Sequence, residues 1–141
     1  MPSTAEVILL ALVNALALGT NADVLRGESL PTEIPPGGLL ILRDGDPGEP
    51  EMTMSPRRYH FEHVAQIEII VQGHGTRDLQ FDVLKLAVGA VIEANRTLGG
   101  TCDWVEAGAP EPQDLPFEGA ETLKAAIIPI TLHYMTANPL T

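Results

Sequence analysis

Between residues 58 and 72 the chain alternates at period two, with Tyr59, Phe61, His63, Ala65, Ile67, Ile69 and Val71 pointing one way and Arg58, His60, Glu62, Gln66, Glu68 and Gln72 the other. Such alternation predicts a half-buried antiparallel strand. Gly73-His74-Gly75 then makes a turn, and the spacing changes to that of a helix over residues 76–95, with Asp78 in the first turn where the dipole favours a negative charge. On that helix Asp78, Asp82, Lys85, Gly89 and Glu93 form one narrow polar stripe, while Leu79, Phe81, Val83, Leu84, Leu86, Val88, Val91 and Ile92 occupy the rest. So wide an apolar surface exceeds what one sheet covers, and the excess is expected to meet the first helix or another subunit. Thr97-Leu98-Gly99-Gly100 turns the chain back into a strand over residues 101–106, and three prolines mark residues 108–119 as loop. A last strand over residues 123–134 places Ile128, Ile130, Leu132 and Tyr134 on one face; Pro129 removes a ladder donor, which predicts an edge or bulged position.

The N-terminal half is less regular. Ser3 and Glu6 fit a capping box, residues 7–18 are apolar nearly all round, and Gly19 supplies a stop. A helix of this kind is covered on more than one side, by the fold or by a neighbouring subunit. About twelve apolar residues interrupted by Asn14 fall short of the roughly twenty that span a bilayer, and no Lys or Arg precedes them as a secretory segment requires. Residues 21–38 are rich in turn formers, with a short strand at 24–26. The run Leu39-Leu40-Ile41-Leu42 has no polar alternate and predicts a strand over 39–43 covered on both faces. Residues 44–51 hold two prolines, two glycines and four carboxylates and read as an exposed loop, after which Met52 and Met54 begin a strand that Pro56 ends or bulges. The expected architecture is a single α+β domain over residues 1–141, in the order α-β-β-β-α-β-β. Its sheet is antiparallel, with a mixed sheet allowed, and two helices pack on one face.

Eight basic against nineteen acidic residues give a net charge of -11, and only Arg57 and Arg58 are adjacent cations. Stable nucleic-acid binding is therefore disfavoured, since neutralising phosphates takes clustered Lys and Arg. Cys102 is the only cysteine, so no internal disulfide forms; it is expected to pack as a small hydrophobe on the strand face it shares with Trp104. His60 and His63 resemble a metal pair, but an odd offset on a strand sends them to opposite faces, and His74 and His133 have no assignable partners. Asp44, Asp46, Glu49 and Glu51 lack the spacing of a calcium loop, and a mobile acidic loop can instead dock on a basic patch of a partner. No phosphate loop or nucleotide fingerprint occurs, and no cofactor is expected. A rival from another class is a small cytoplasmic enzyme acting on an acyl thioester through Cys102 or a histidine, although the spacing offers no base and oriented partner.

Three segments carry a family resemblance. They are Pro35-Pro36-Gly37-Gly38-Leu39 leading to Leu42-Arg43-Asp44-Gly45, Tyr59-His60-Phe61-Glu62-His63, and Arg96-Thr97-Leu98-Gly99-Gly100 followed by Asp103-Trp104. In these and in element order, nearly the whole chain resembles the tail terminator proteins of long-tailed phages, prophages and gene transfer agents. The resemblance implies a structural virion protein, not an enzyme, assembled in the host bacterial cytoplasm. Such proteins form a ring, usually hexameric, at the head-proximal end of the tail tube, stop tube growth, and present a surface to the head-tail connector. DNA would pass the lumen without specific binding, which a negative wall suits. Another neck, head-tail joining or minor tail protein is the alternative. On this basis Leu9, Leu12, Leu16, Phe81, Leu84 and Val88 are expected in the ring interface, and Asp44, Asp46, Glu49 and Glu51 at an axial neighbour, the tube or connector.

Overall fold

Ser3 begins the first helix, α1 (Thr4–Gly19), its hydroxyl accepting from the Glu6 N–H at 3.2 Å. The expected reciprocal bond is absent, because the Glu6 carboxylate turns instead to Arg26. The remaining elements are β1 (Asp23–Arg26), β2 (Leu39–Asp46), β3 (Glu51–Thr53), β4 (Arg58–Gln72), α2 (Arg77–Ala94), β5 (Trp104–Ala107), β6 (Glu111–Gln113) and β7 (Leu123–Thr136). The computed structural model describes residues 2–27, 33–73, 75–113 and 122–141. His74 and the latter half of the expected 108–119 loop lie outside the described residues.

The strands form one sheet in the order β1-β2-β4-β7-β5, with β3 on β4 and β6 on β7. β1 runs parallel to β2 and every other pair is antiparallel, so the fold is α+β with a mixed sheet. The alternating strand predicted over residues 58–72 is β4, and its even register with β7 runs from Tyr59↔Thr136 to Gln72↔Leu123. β6 lies where prolines suggested only loop.

Both helices cover one face of the sheet. Ile8, Leu9, Leu12 and Leu16 of α1 and Phe81, Leu84, Val88 and Ile92 of α2 pack with Leu40, Leu42, Ile67, Ile69, Ile128 and Ile130. On the other face a small cluster of Leu39, Ile41, Ile70 and Ala125 is covered by Leu25 and Ile34. The Leu39-to-Leu42 run is thus buried on both sides, as its lack of polar alternates required.

Four expectations are corrected. Leu9, Leu12, Leu16, Phe81, Leu84 and Val88, assigned to a ring interface, are buried within the protomer, because they are the rows the helices turn toward the sheet. The 44–51 loop is shorter than expected: β2 continues through Asp46 and β3 starts at Glu51. Gly45, at φ +68°, absorbs a register shift between Arg43 and Asp46. Pro129 is not at an edge, since β7 lies between β4 and the pair β5 and β6. Its carbonyl accepts from the Gly108 N–H at 2.8 Å. The N–H and C=O of one strand residue point the same way, so the missing donor faces the break between β5 and β6 and spares the ladder to β4. Finally, Cys102 precedes β5 and is buried, whereas Trp104 turns outward and does not share its face.

A Cβ on Gly45 would lie 1.9 Å from the Val64 carbonyl oxygen, while one on Gly48, also left-handed at φ +72°, would meet nothing within 4 Å. Gly45→Ala should therefore lower stability by about 3 kcal/mol. Gly48→Ala should lower it by about 1 kcal/mol. Urea midpoints at unchanged m-value measure the contrast.

Candidate assembly interface

Helix α2 presents two apolar rows. At about 100° per residue, Phe81, Leu84, Val88 and Ile92 form the row that faces the sheet, and Leu79, Val83, Leu86 and Ala90 form a second row on the opposite side. The second row is open to solvent: Leu79 is 68%, Val83 59% and Leu86 63% exposed. Beside it runs a shallow groove lined by Asn21, Pro36, Gly37, Leu79, Val83 and Ala87. Val7 and Leu10 leave a smaller apolar strip exposed on α1. The sequence held the signal for these residues, since Leu79, Val83 and Leu86 border the polar stripe and follow their own spacing of four and three. Apolar width alone does not distinguish the row that packs inward from the row left in solvent.

The four loop carboxylates do not act alike. Asp44 is held by Arg26, whose Nε and Nη2 donate to it at 2.9 and 3.0 Å, and Nη2 also reaches Glu6 at 2.8 Å. Arg26 thereby ties the start of α1 to the end of β2. Hydrogen bonding to Arg26 holds the Glu6 carboxyl below its usual range, and bonds to Glu6 and then Asp44 raise the guanidinium pKa. Asp46 accepts from the Gly48 N–H at 2.8 Å and so braces the turn. Only Glu49 and Glu51 stay exposed without a partner in the turn, and they form one wall of an open cleft of about 570 Å³ completed by Glu62, Asp103, His60 and His133. Among the described residues no Lys or Arg lines it.

Beneath that end of the sheet, His63 is buried between β2 and β7. Its Nε2 donates to the Asp44 carbonyl at 2.6 Å, since a carbonyl only accepts, and its Nδ1 is hydrogen-bonded with the Tyr134 hydroxyl at 2.8 Å. Tyr134 stacks on Phe61 with centroids 5.2 Å apart, and burial raises its pKa. His63 is thus a core histidine with both nitrogens satisfied. His60 bonds Thr53 on the opposite face at 3.0 Å, as the odd offset required.

Cys102 packs in the core with its thiol near the Arg96 carbonyl, and burial followed by the Asp103 charge raises its pKa. Such a thiol is a poor nucleophile, since the thiolate is the reactive form. Arg96 lies over the Trp104 ring at 5.0 Å, donates to the Val105 carbonyl at 2.9 Å and accepts from the Val105 N–H at 2.8 Å. The Arg96-to-Gly100 and Asp103-Trp104 motifs therefore close the end of α2 onto β5. Among the described residues no group of three or more His, Cys, Asp or Glu side chains is placed to hold a metal ion, and no helix is long and apolar enough to cross a membrane.

A scan of protein-family models gives no match to this chain, and a search of curated proteins gives none either.

Because the Glu6 pKa is lowered by folding, its contribution to stability is fully present above the ordinary carboxylate pKa and is lost as pH falls through the folded value. Glu6→Gln should accordingly reduce the urea midpoint at neutral pH and have no effect in acid below that value. For Cys102, an aromatic disulfide reagent should label the native protein orders of magnitude more slowly than the urea-unfolded chain, at a rate set by opening of the core. Rapid labelling of the native thiol would make it a candidate nucleophile again.

Proposed function

We propose that this chain is a structural subunit of a phage-type tail, closing into a ring at the head-proximal end of the tail tube. There it stops tube growth and offers the joining surface to the head connector. The observation that carries this is the uncovered apolar row Leu79, Val83, Leu86 and Ala90, on the side of α2 opposite the core. A row of this size beside an apolar groove favours burial against another protein surface. In a homo-oligomer a heterologous contact, one patch meeting a different patch on the next copy, repeats until a ring closes.

Tube growth continues when each ring matches the next on both axial faces. It ends when one face matches the tube and the other does not, so termination needs shape and charge but no chemistry. The resemblance supplies the hexamer and the position on the tail; the apolar row supplies a reason for copies to meet. A net charge of -11 makes copies repel at long range, so the contact depends on apolar burial and on local charge matching. The same negative balance suits a lumen through which DNA passes without adhering.

Leu79→Glu with Val83→Glu leaves the core row untouched and should prevent ring closure. Electron microscopy of particles carrying this double variant, or lacking the chain, should show tails of uncontrolled length. Finished tails of normal length without heads would instead assign the chain to head-tail joining. Normal, joined tails would overturn both assignments.

A further inference from the structure

Six of the eight basic side chains are engaged within the protomer. Arg26 pairs with Glu6 and Asp44, Arg43 with Glu68, Lys85 with Asp82, Arg96 with Glu93 and Lys124 with Asp78, and Arg77 donates to the Leu123 carbonyl. Arg57 and Arg58 differ: among the described residues neither has a carboxylate partner, and the one hydrogen bond from either side chain there runs from Arg58 to the Arg57 carbonyl at 2.9 Å. Both sit at the tip joining β3 to β4, where Met52 and Met54 are exposed at 52% and 68%. A projecting tip that combines two unpaired arginines with two bare methionines has the composition of an interface, in which Arg and Met are enriched and Lys is depleted.

The complementary surface lies on the same chain. The cleft walled by Glu49, Glu51, Glu62 and Asp103 has no Lys or Arg in its lining among the described residues, and it adjoins the exposed face of the sheet not covered by helices. We infer that, within the ring proposed above, the β3–β4 tip of one copy seats in this cleft of the neighbouring copy, with Arg57 and Arg58 meeting Glu49, Glu62 and Asp103. This contact rests on that ring, and it assigns the acidic turn to the lateral neighbour in place of the axial one expected from the sequence. It also resolves a difficulty of the ring, because two copies each at -11 need a place where unlike charges meet. A nucleic acid is the weaker occupant for the tip: two cations neutralise few phosphates, and the surrounding charge repels the rest.

The test is a charge exchange. One variant carries Arg57→Glu and Arg58→Glu, and the other carries Glu49→Lys and Glu62→Lys. All four positions are at the surface, and thermal midpoints close to wild type would check that both chains fold. Sedimentation velocity on the full chain at low salt should show each variant alone associating at least about tenfold more weakly than wild type, and the equimolar mixture regaining most of the loss. In the mixture each reversed tip faces a reversed cleft, a restoration that a merely damaged fold cannot produce. Wild-type self-association should also weaken as salt is raised. Variants that associate as wild type does, or a mixture no better than its parts, would overturn the contact and leave the ring standing on its helical row. A wild-type chain that shows no self-association would overturn the contact as well, and the ring would then be judged on tail length alone.

Discussion

Pairing of β4 with β7 organises everything else in the protein. Fourteen consecutive positions, from Tyr59 opposite Thr136 to Gln72 opposite Leu123, stay in unbroken register, and a slip of one residue would send every apolar side chain to the wrong face. That register places Phe61, His63, Ala65, Ile67, Ile69 and Val71 beside Tyr134, Leu132, Ile130, Ile128 and Ala126, building a single greasy plane on which both helices lie. β2 joins at one side of the pair and β5 and β6 at the other. Even the buried His63 depends on it, since Tyr134 reaches the imidazole only because Phe61 and Tyr134 are paired neighbours.

A sheet covered on one face has an exposed face and an outer helical layer, and here both differ from an ordinary solvated surface. The outer side of α2 repeats the apolar spacing of its inner side, and the open face of the sheet ends in an acidic cleft beside a tip with two arginines that have no carboxylate partner among the described residues. Neither requires a bound metal or a reactive thiol, and Cys102 sits where burial disfavours its charged form.

Local pattern told most of the architecture. Period-two alternation identified β4 almost to the residue, the Ser3 cap located α1, and the change of spacing after Gly75 located α2, because in each case the signal is written in neighbouring side chains. What stayed illegible is decided at long range. Nothing near Glu6 says that Arg26, twenty residues on, will take its carboxylate from the capping box. Gly45 looks like a loop former, yet its left-handed backbone serves a bulge that lets β2 run on to Asp46. Pro112 hid β6, and Pro129 suggested an edge, because its harmless orientation depends on where β5 stops and β6 begins. The surface proposed for assembly was partly legible. The breadth of apolar surface on α2 is plain in the sequence, but which row turns inward is decided by packing against the sheet, and the open setting of Arg57 and Arg58 is decided by the turn that carries them.

At the outer flank of β5 the Arg96 backbone and guanidinium together occupy both free backbone groups of Val105, and in the strand beyond, Pro112 has no N–H to offer. A visiting strand would find few hooks along this border, which disfavours edge-to-edge pairing there through main-chain ladders. Contacts with another protein at this border would then favour joints made by side chains, which form and release reversibly and do not seed a fibre.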